Sequence, residues 1–430
     1  MSSSKTYDKY KNVKHELFDQ IPSHWELFKA SHLFDNIGSG TTPKSDKQEY
    51  YENGEVSWLT TGDLNDNNLT SCDGKITRKA LEEHTALKEY PEGSIAIAMY
   101  GATIGKTAIL QFRTTTNQAC CVFSASSKIH NKYFHYQLLS LKPYILSLAV
   151  GGGQPNINQE VLRSLKITVP KHKEQLFIAN FLDSETAKID SLISEQEKLI
   201  ELLQEKRQAV ISHAVTKGLN PSAPMKDSGV EWLDEVPEHW RVLPVWILFH
   251  LGRGRVISHE DIQRDPGDYP IYSSQTENNG EMGKIGTFDF DGDYLTWTTD
   301  GANAGTVFKR NGKFNCTNVC GTLKAKYTEQ INLDFALLAL SLATSSYVRM
   351  DINPKLMNNV MASIRIPIPS INEQESIVHF LNNKLSGFEP LEATIDEQVL
   401  LLKERRSALI SAAVTGQIDV RHLASKEDAA

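Results

Sequence analysis

The chain has 430 residues and a formal net charge of −8, with 40% hydrophobic and 23% charged residues. This composition is typical of a globular protein of two to four domains, and no apolar run is long enough to cross a bilayer. The N-terminal residues lack the apolar stretch of a signal peptide, so we expect a cytoplasmic protein without membrane contact. The negative charge does not favour nucleic-acid binding, because phosphate contacts require lysine and arginine. A DNA-binding role would need basic residues gathered on one face, or a partner that supplies phosphate contacts.

A segment near the N-terminus, Lys11–Trp25, is repeated later in the chain as Lys226–Trp240, and we call the two copies the opening segments. The two tryptophans are 215 residues apart, whereas the segment Glu205–Thr216 recurs only 199 residues later as Glu404–Thr415. The two copies therefore share their first and last parts and differ in length between them. This pattern favours one role performed twice by the shared parts and two different roles for the middle regions. Duplication followed by drift is the alternative, and it would scatter the differences more evenly.

Each middle region predicts a small α+β domain of about 140 residues. Residues 93–110 and 292–308 show alternation, β-branched residues and glycines between short runs, which indicates strands and turns. Apolar residues near 138–144 and 335–342 predict one short helix in each region.

Each copy ends in a predicted long amphipathic helix. The apolar stripe of the first helix comprises Ile189, Leu192, Leu199, Leu203 and Val210, widened by Ile193, Ile200 and Leu202. The stripe of the second helix comprises Phe388, Leu391, Ile395, Leu402 and Leu409. Because neither copy offers another long helix to cover its stripe, we expect the two helices to pack on each other. The pair is antiparallel if a pseudo-two-fold axis relates the copies.

Local signals also predict where these helices begin and end. We expect them to end near Gly218 and Gly416, because a helix C-cap favours glycine. Ser370 and Glu373 have the spacing of a capping box. Gly387, with the nearby proline at position 390, is expected to separate a short helix from the long one in copy two. The long helices are expected to span about 26 to 33 residues, or about 40–50 Å.

The sequence predicts no catalytic residue, metal or cofactor. The stretch Gly101–Thr107 resembles a phosphate-binding loop, but only three residues separate its glycines, so a glycine-bearing turn is the simpler interpretation. The Asn-Pro pairs that begin at Asn220 and Asn353 lack the second proline and the aromatic residue that an adenine methyltransferase needs. The five cysteines are odd in number and irregularly spaced, which does not indicate disulfides, and Cys316 and Cys320 lack a second pair at zinc spacing. Buried or strand-borne thiols are therefore expected.

Three elements in order carry a resemblance to a known family: the opening segments, the stretch Gly151–Gln175 that begins GGGQPNIN, and the helix end Gln204–Leu219. This layout closely resembles the specificity subunits of type I restriction–modification systems, over nearly the whole chain. The resemblance implies an α+β fold in which two small target-recognition domains are separated by two long conserved helices. These helices pair as an antiparallel coiled coil, in an internal pseudo-two-fold repeat. Copy two departs from the pattern, with Asn353 at the position of Gln154.

The resemblance also implies domain boundaries. In chain order these are an N-terminal segment at 1–20, a first recognition domain at 21–170, a first helical region that acts as a spacer at 171–220, a second recognition domain at 221–369, a second helical region at 370–420 and a tail at 421–430.

The implied function is that of a non-catalytic DNA-specificity subunit. Each recognition domain reads one half of a bipartite, asymmetric site in double-stranded DNA, and the helices set the spacer between the halves. Two methyltransferase subunits bind this scaffold, and restriction subunits can join. Helices of the predicted length would hold the two domains about one DNA turn, or about 34–36 Å, apart. The alternatives are a free-standing adenine methyltransferase or nuclease with fused recognition domains, and a structural coiled-coil protein that would leave the α+β domains unexplained.

Candidate contact residues follow from side-chain chemistry, because bases are read chiefly by hydrogen bonds from arginine, lysine, amide and hydroxyl groups. In turn-like sequence of copy one, the candidates for DNA contact are Thr41, Thr42, Lys44, Tyr100 and Gln154. In copy two they are Arg253, Arg255, Ser273, Ser274, Gln275 and Asn303. The candidates for methyltransferase docking are Trp25, Trp240, Arg207 and Arg406. The alternatives are that the polar loop residues are only solvated and that the helix segments only pack the helix pair.

Overall fold

The computed structural model describes residues 5–15, 17–150, 155–349 and 353–424. The chain forms two compact units: unit 1 comprises residues 1–197 and 397–430, and unit 2 comprises residues 198–396. Unit 1 is discontinuous in sequence, because the C-terminal part of the chain joins the N-terminal part. Both units mix helices with short strands, as the sequence predicts.

Unit 1 contains strands β1 (Tyr10–Asn12), β2 (Gln20–Pro22), β3 (Glu26–Lys29), β4 (Ile37–Ser39), β5 (Val56–Leu59), β6 (Asn67–Leu69), β7 (Lys75–Ile76), β8 (Ile95–Ala98), β9 (Thr107–Leu110), β10 (Thr115–Thr116), β11 (Cys120–Phe123) and β12 (Lys166–Val169). Its helices before the long helical region are α1 (Ala30–Leu33), α2 (Arg78–Glu83), α3 (Asn131–Ser147) and α4 (Gln159–Ser164). The long helix α5 (His172–Lys217) begins in unit 1 and ends in unit 2.

Unit 2 contains strands β13 (Met225–Asp227), β14 (Glu235–Pro237), β15 (Arg241–Pro244), β16 (Phe249–Arg253), β17 (Tyr269–Tyr272), β18 (Glu281–Ile285), β19 (Phe290–Asp291), β20 (Tyr294–Thr298), β21 (Val307–Arg310), β22 (Lys313–Cys316), β23 (Cys320–Ala325) and β24 (Arg365–Ile368). The remaining helices are α6 (Val245–Leu248), α7 (His259–Arg264), α8 (Leu333–Ala343), α9 (Asn358–Ser363), α10 (Ile371–Leu385), α11 (Phe388–Val414) and α12 (Arg421–Ala424). Helix α11 begins in unit 2 and ends in unit 1, which also contains α12.

The two units repeat one sheet arrangement although their middle sequences differ. Unit 1 has the sheet order β4-β11-β8-β9-β6, and unit 2 has the order β16-β23-β20-β21. In a second sheet, β5 is parallel to β10, as β17 is parallel to β22. The antiparallel pair β3–β12 joins the two ends of the middle region in unit 1, and the pair β15–β24 joins the two ends of the middle region in unit 2. The duplication that is evident at the ends of the copies therefore extends through their middle regions.

Each unit has its own apolar core, in which one helix packs on the main sheet. Helix α3 packs against β9 in unit 1, and α8 packs against β21 in unit 2. Every residue of β8, β9 and β11 is buried, which explains their nearly continuous apolar sequence. All five cysteines are buried and unpaired, as expected for thiols in strands and core positions. Within the described residues, no helix has the length and apolar character that a membrane span requires.

The helix ends confirm most of the local predictions. Helices α5 and α11 end just before Gly218 and Gly416, both of which have a φ of +76°. Copy two has the predicted break between α10 and α11 at Ser386 and Gly387, whereas α5 runs without interruption for 46 residues and is longer than predicted. The predicted capping box is wrong, because Ser370 makes no side-chain cap bond and the Glu373 carboxylate accepts a hydrogen bond from Trp240 instead.

The apolar stripe of α5 faces inward through five of its eight predicted residues. Ile189 and Ile193 are buried, and Ile200, Leu203 and Val210 are half-buried. Successive inward positions are therefore three, four or seven residues apart, as in a heptad. The other three predicted residues of this stripe, Leu192, Leu199 and Leu202, are exposed, so the prediction is wrong for them. In α11, Leu391 of the predicted stripe is also exposed.

Candidate DNA interface

A polar groove opens on unit 1 where the ends of β4, β8 and β11 meet. Its lining comprises Ser39, Met99, Tyr100, Gln118, Asn156, Ile157, Asn158 and Gln159. Two of the amides have structural tasks, because Asn158 caps α4 and the Gln159 side chain donates to the Ile37 carbonyl at 2.5 Å. Tyr100, Gln118 and Asn156 remain as polar side chains of the kind that read base edges. We call the residues Ser39, Tyr100, Gln118 and Asn156 rim 1.

Of the sequence candidates in copy one, Thr42 and Tyr100 come together at this groove. The Thr42 hydroxyl donates to the Gln118 side chain at 2.6 Å, and Gln118 lines the groove with Tyr100. Lys44 is exposed on the same loop, whereas Thr41 is half-buried and its carbonyl accepts a hydrogen bond from the Trp58 indole at 3.2 Å. Gln154 lies outside the described residues.

Gly40 allows the loop that carries Thr41, Thr42 and Lys44 to pack closely against the backbone at Thr116. A Cβ atom at Gly40 would lie 1.7 Å from the Thr116 carbonyl oxygen, so a side chain at this position is sterically excluded. Gly254 has the same place in unit 2, where a Cβ atom would lie 2.2 Å from the Cys316 carbonyl oxygen. The candidate residues that follow these glycines, including Thr42 and Arg255, are therefore carried by equivalent backbone in both units.

Unit 2 repeats the backbone frame of rim 1 with different side chains. Tyr100 and Asn156 form an isolated backbone bridge, and Asp300 and Lys355 form the equivalent bridge in unit 2. The residues that precede Tyr100 and Asp300 also make equivalent backbone hydrogen bonds. The Met99 amide donates to the Ala119 carbonyl just before β11, and the Thr299 amide donates to the Val319 carbonyl just before β23. This frame places Arg253, Asp300, Asn318 and Lys355 at the positions of rim 1, and we call them rim 2.

Of the arginines predicted in copy two, Arg253 belongs to rim 2 and Arg255 lies next to it in sequence. Arg253 is exposed at the end of β16, and its Nε donates to the Asn318 carbonyl at 2.6 Å. Arg255 is exposed two residues later and forms an ion pair with Asp289 at 2.8 Å. Each Nε is therefore held in place, which orients the planar guanidinium as base recognition requires.

The remaining candidates in copy two lie on two loops. The Thr317 hydroxyl donates to the hydroxyl of Ser273 at 3.3 Å, and Ser274 beside it is half-buried. The amide nitrogen of Gln275 donates to the Glu281 carbonyl within its own turn. Asn303 is exposed in the turn between β20 and β21, where its backbone carbonyl accepts the hydrogen bonds that form the turn.

Sequence reasoning missed several rim residues that the structure brings together: Gln118, Asn156, Asp300, Asn318 and Lys355. A signal for them exists in the sequence. A shift of 200 residues pairs Gly101 with Gly301, Gly105 with Gly305 and Cys120 with Cys320. This shift applies only in the middle regions, and it aligns Tyr100 with Asp300 and Gln118 with Asn318.

The tryptophans predicted to dock a partner are part of the core. Trp25 is 0% exposed and Trp240 is 1% exposed, and each indole donates to a carboxylate, Glu174 at 3.1 Å or Glu373 at 3.0 Å. A buried indole presents no surface to a partner, so the structure corrects this assignment. The tryptophans instead hold each opening segment against a helix end, next to Gly416 in unit 1 and Gly218 in unit 2.

The arginines predicted to dock a partner connect the long helices within each unit. In unit 1, Arg406 of α11 forms two hydrogen bonds to Asp190 of α5, at 2.8 and 3.1 Å. In unit 2, Arg207 of α5 lies 3.5 Å from Glu389 of α11. The same two helices carry exposed leucines: Leu192, Leu400 and Leu401 in unit 1, and Leu199, Leu202 and Leu391 in unit 2.

A small polar cavity in unit 1 is lined by other residues than rim 1, and its lysine, arginine and aspartate side chains all form ion pairs. Lys132 and the hydroxyl of Tyr136 both contact the Asp183 carboxylate, at 2.5 and 2.8 Å. The ring of His135 hydrogen bonds to the hydroxyl of Thr107 at 2.9 Å, and burial lowers the pKa of His135 to about 4. These satisfied contacts join α3 to the sheet and to α5, which indicates a structural role.

Comparison with known proteins identifies the family of this chain. Residues 22–202 and 237–400 match the family model described as type I restriction modification DNA specificity domain. The chain is 35% identical over 228 residues to the putative type I specificity subunit S.MpnORF365P of Mycoplasma pneumoniae, across 53% of this chain and 78% of that protein. It is 48% identical over 138 residues to the putative type I specificity subunit S.MpnORF507P of the same organism, across 31% of this chain and 38% of that protein.

Solved structures share the fold. A chain from a structure of the assembly and conformational transition of a type I R-M system has a TM-score of 0.72 at 12% identity, over 93% of this chain and 99% of that chain. The HsdS subunit of Thermoanaerobacter tengcongensis has a TM-score of 0.52 at 12% identity, over 94% of this chain and 100% of that chain. The family match covers most of the chain, and the chain therefore belongs to the specificity subunits of type I restriction–modification systems.

Proposed function

We propose that each unit of this specificity subunit reads one half of a bipartite, asymmetric DNA site, through rim 1 in unit 1 and rim 2 in unit 2. The observation that carries the proposal is that the two rims share one backbone frame and differ in side chains. A common frame can meet the groove of DNA in the same way twice, while different side chains select different bases.

We further propose that α5 and α11 pair as an antiparallel coiled coil that sets the unread spacer between the half-sites. The heptad spacing of their inward residues and the ion pairs between them support this role. Two copies of one methyltransferase dock on the repeated helix surfaces and carry out the chemistry, and restriction subunits can join the same complex. The partners would also supply phosphate contacts that a chain of net charge −8 is poorly suited to provide.

Exchange of one complete middle region tests the division between the units. Residues 241–368 of unit 2 are replaced by the matching region of another specificity subunit, because the pair β15–β24 joins both ends of this region. We expect one half of the methylated motif to change while the other half is retained, because rim 1 is untouched. Sequencing of methylated DNA from cells that express the variant measures both halves.

The matched control is the exchange of residues 26–169, which the pair β3–β12 bounds in unit 1. It should change the opposite half-site. If either exchange alters both halves, or if methylation continues at the original motif, the modular proposal is wrong.

A further inference from the structure

Rim 2 carries a carboxylate where rim 1 carries a phenol. Asp300 follows β20 in unit 2 by the same two-residue interval that separates Tyr100 from β8 in unit 1. Both residues form the isolated bridge of their rim, to Lys355 and to Asn156 respectively. The side chain at this position therefore differs in kind between the two units while its backbone support is the same.

The Asp300 carboxylate is oriented by two neighbours. The hydroxyl of Thr299 donates to its Oδ2 at 2.6 Å, and the Nζ of Lys355 lies 3.7 Å from its Oδ1. The Asp300 side chain remains 24% exposed. A carboxylate oxygen can accept more than one hydrogen bond, so both oxygens retain capacity for a further donor.

An acidic side chain at a DNA-reading rim needs a specific partner, because the phosphates repel it and it can only accept hydrogen bonds while ionised. The major groove offers two amino donors, N4 of cytosine and N6 of adenine. Adenine also presents the acceptor N7 beside its amino group, which would face the second carboxylate oxygen unfavourably. Cytosine presents no acceptor next to its amino group, so a carboxylate distinguishes cytosine from adenine.

We propose that Asp300 accepts a hydrogen bond from the N4 amino group of a cytosine, so that the half-site read by unit 2 contains a required C·G pair. This inference rests on the proposed function of rim 2 and names one base that the rim selects. Thr299 and Lys355 act as positioning residues, because they orient the carboxylate and offset part of its charge.

The substitution Asp300→Asn tests the inference. The amide keeps the size of the side chain but adds donors, and an asparagine can bond to both N6 and N7 of adenine. The preference for cytosine over adenine at one position of the unit 2 half-site should fall about 10- to 100-fold, and adenine should become a substrate. The assembled complex of the full chain with its methyltransferase is assayed on DNA duplexes that carry each base in turn at every recognised position.

Asp293→Asn is the matched control, because Asp293 is an exposed aspartate just before the opposite end of β20. It should leave the preference unchanged at every position. Asp300→Glu keeps the carboxylate and should retain the choice of cytosine with a lower rate. Melting temperature and methyltransferase binding of each variant show whether it is folded and assembled.

Two results would overturn the inference: a native half-site for unit 2 without a required C·G pair, or an unchanged cytosine preference in the folded Asp300→Asn complex. Failure of the underlying proposal has a different signature, since exchange of residues 241–368 would then leave the half-site unchanged. If the exchange changes the half-site and Asp300→Asn does not, rim 2 still reads DNA but Asp300 does not select the base.

Discussion

At the scale of single residues, two carboxylates explain why the opening segments repeat: Glu174, which is buried, and Glu373, which is half-buried. In unit 1, Glu174 accepts hydrogen bonds from the Trp25 indole at 3.1 Å and from the Tyr7 hydroxyl at 2.9 Å. In unit 2, Glu373 accepts from the Trp240 indole at 3.0 Å. A carboxylate that is withdrawn from water is costly unless such donors satisfy it, so we expect each glutamate to be retained together with its tryptophan.

His135 makes the stability of unit 1 depend on pH. Its pKa is about 4 in the folded protein and about 6.5 when unfolded, so only the unfolded state takes up a proton between these values. Folding stability should therefore fall as the pH falls from about 6.5 toward 4, by about 2 kcal/mol between pH 7 and pH 5. Above pH 6.5 this residue should contribute no pH dependence.

The stability of unit 1 is measured by chemical denaturation at pH 7 and at pH 5, with tryptophan fluorescence as the signal. The variant His135→Gln removes the titrating group and should have a shallower dependence on pH, whatever its absolute stability. His32→Asn, at an exposed histidine of the same unit, is the control. Equal slopes for the native chain and for His135→Gln would contradict the assignment.

At the scale of elements, the long helices use one face for packing and leave leucines on another. Leu202 of α5 and Leu401 of α11 are 50% and 55% exposed, and they are 199 residues apart, as the repeat requires. Leu192 and Leu391 are exposed and related in the same way. Single exposed leucines are ordinary, but their recurrence at equivalent positions of both helices favours a surface that binds the same partner twice.

Replacing these leucines should weaken methyltransferase docking without unfolding the chain. In the double variant Leu202→Ser and Leu401→Ser, affinity for the methyltransferase should fall about 10- to 100-fold at each site, because a leucine buried at an interface contributes about 1.5–3 kcal/mol. The melting temperature should change little, since both side chains are already half-exposed. Native mass spectrometry and calorimetry measure the stoichiometry and the affinity.

The single variant Leu401→Ser should weaken one of two docking sites and leave the other intact. Lys198→Ser, at an exposed position of α5, should keep two methyltransferases bound. Unchanged binding of two methyltransferases by the double variant would rule out these leucines as docking residues. A native complex that saturates with one methyltransferase would rule out the two-site proposal as a whole.

At the scale of the whole molecule, the C-terminal part of the chain completes the N-terminal unit. The Tyr10 hydroxyl donates to the Gly416 carbonyl at 3.0 Å, and the Asp419 amide donates to the Lys5 carbonyl at 2.7 Å. The side chain of Gln137 donates to the Val414 carbonyl at 2.9 Å, so the end of α11 is bonded to the middle region of unit 1. Both long helices contribute residues to both units.

Lengthening both helices tests whether they set the spacer. Four residues are inserted after Leu203 in α5 and four after Leu402 in α11, so that the pair grows evenly. Each insertion adds about 6 Å of helix, or about two base pairs of DNA at 3.4 Å each. We expect the unread spacer of the methylated motif to lengthen by about two base pairs while both half-sites keep their sequence.

The control places four residues in the turn at Asn311 and Gly312, between β21 and β22 of unit 2. It should leave the spacer unchanged. A motif that retains its original spacing in the folded, double-insertion complex would refute the role of the helices as a ruler.

The sequence by itself determined the features that depend on local signals and on repetition. The duplication follows from identical segments, and Gly218 and Gly416 end α5 and α11 as predicted because a left-handed C-cap is a local requirement. The alternation in residues 93–110 and 292–308 correctly indicates strands. The resemblance in the opening segments and helix ends correctly identified the family.

Only the tertiary structure decided which side chains meet, because those contacts join residues that are distant in sequence. The stripe of α5 faces inward at Ile193 rather than Leu192, since a small change in helix phase exchanges neighbouring positions and the packing partner selects the phase. Glu373 bonds to Trp240 instead of capping its own helix, because a buried indole 133 residues away competes for the carboxylate. The ion pair between Asp300 and Lys355 likewise requires the folded sheet, which brings the loop after β20 beside the chain that leads to α9.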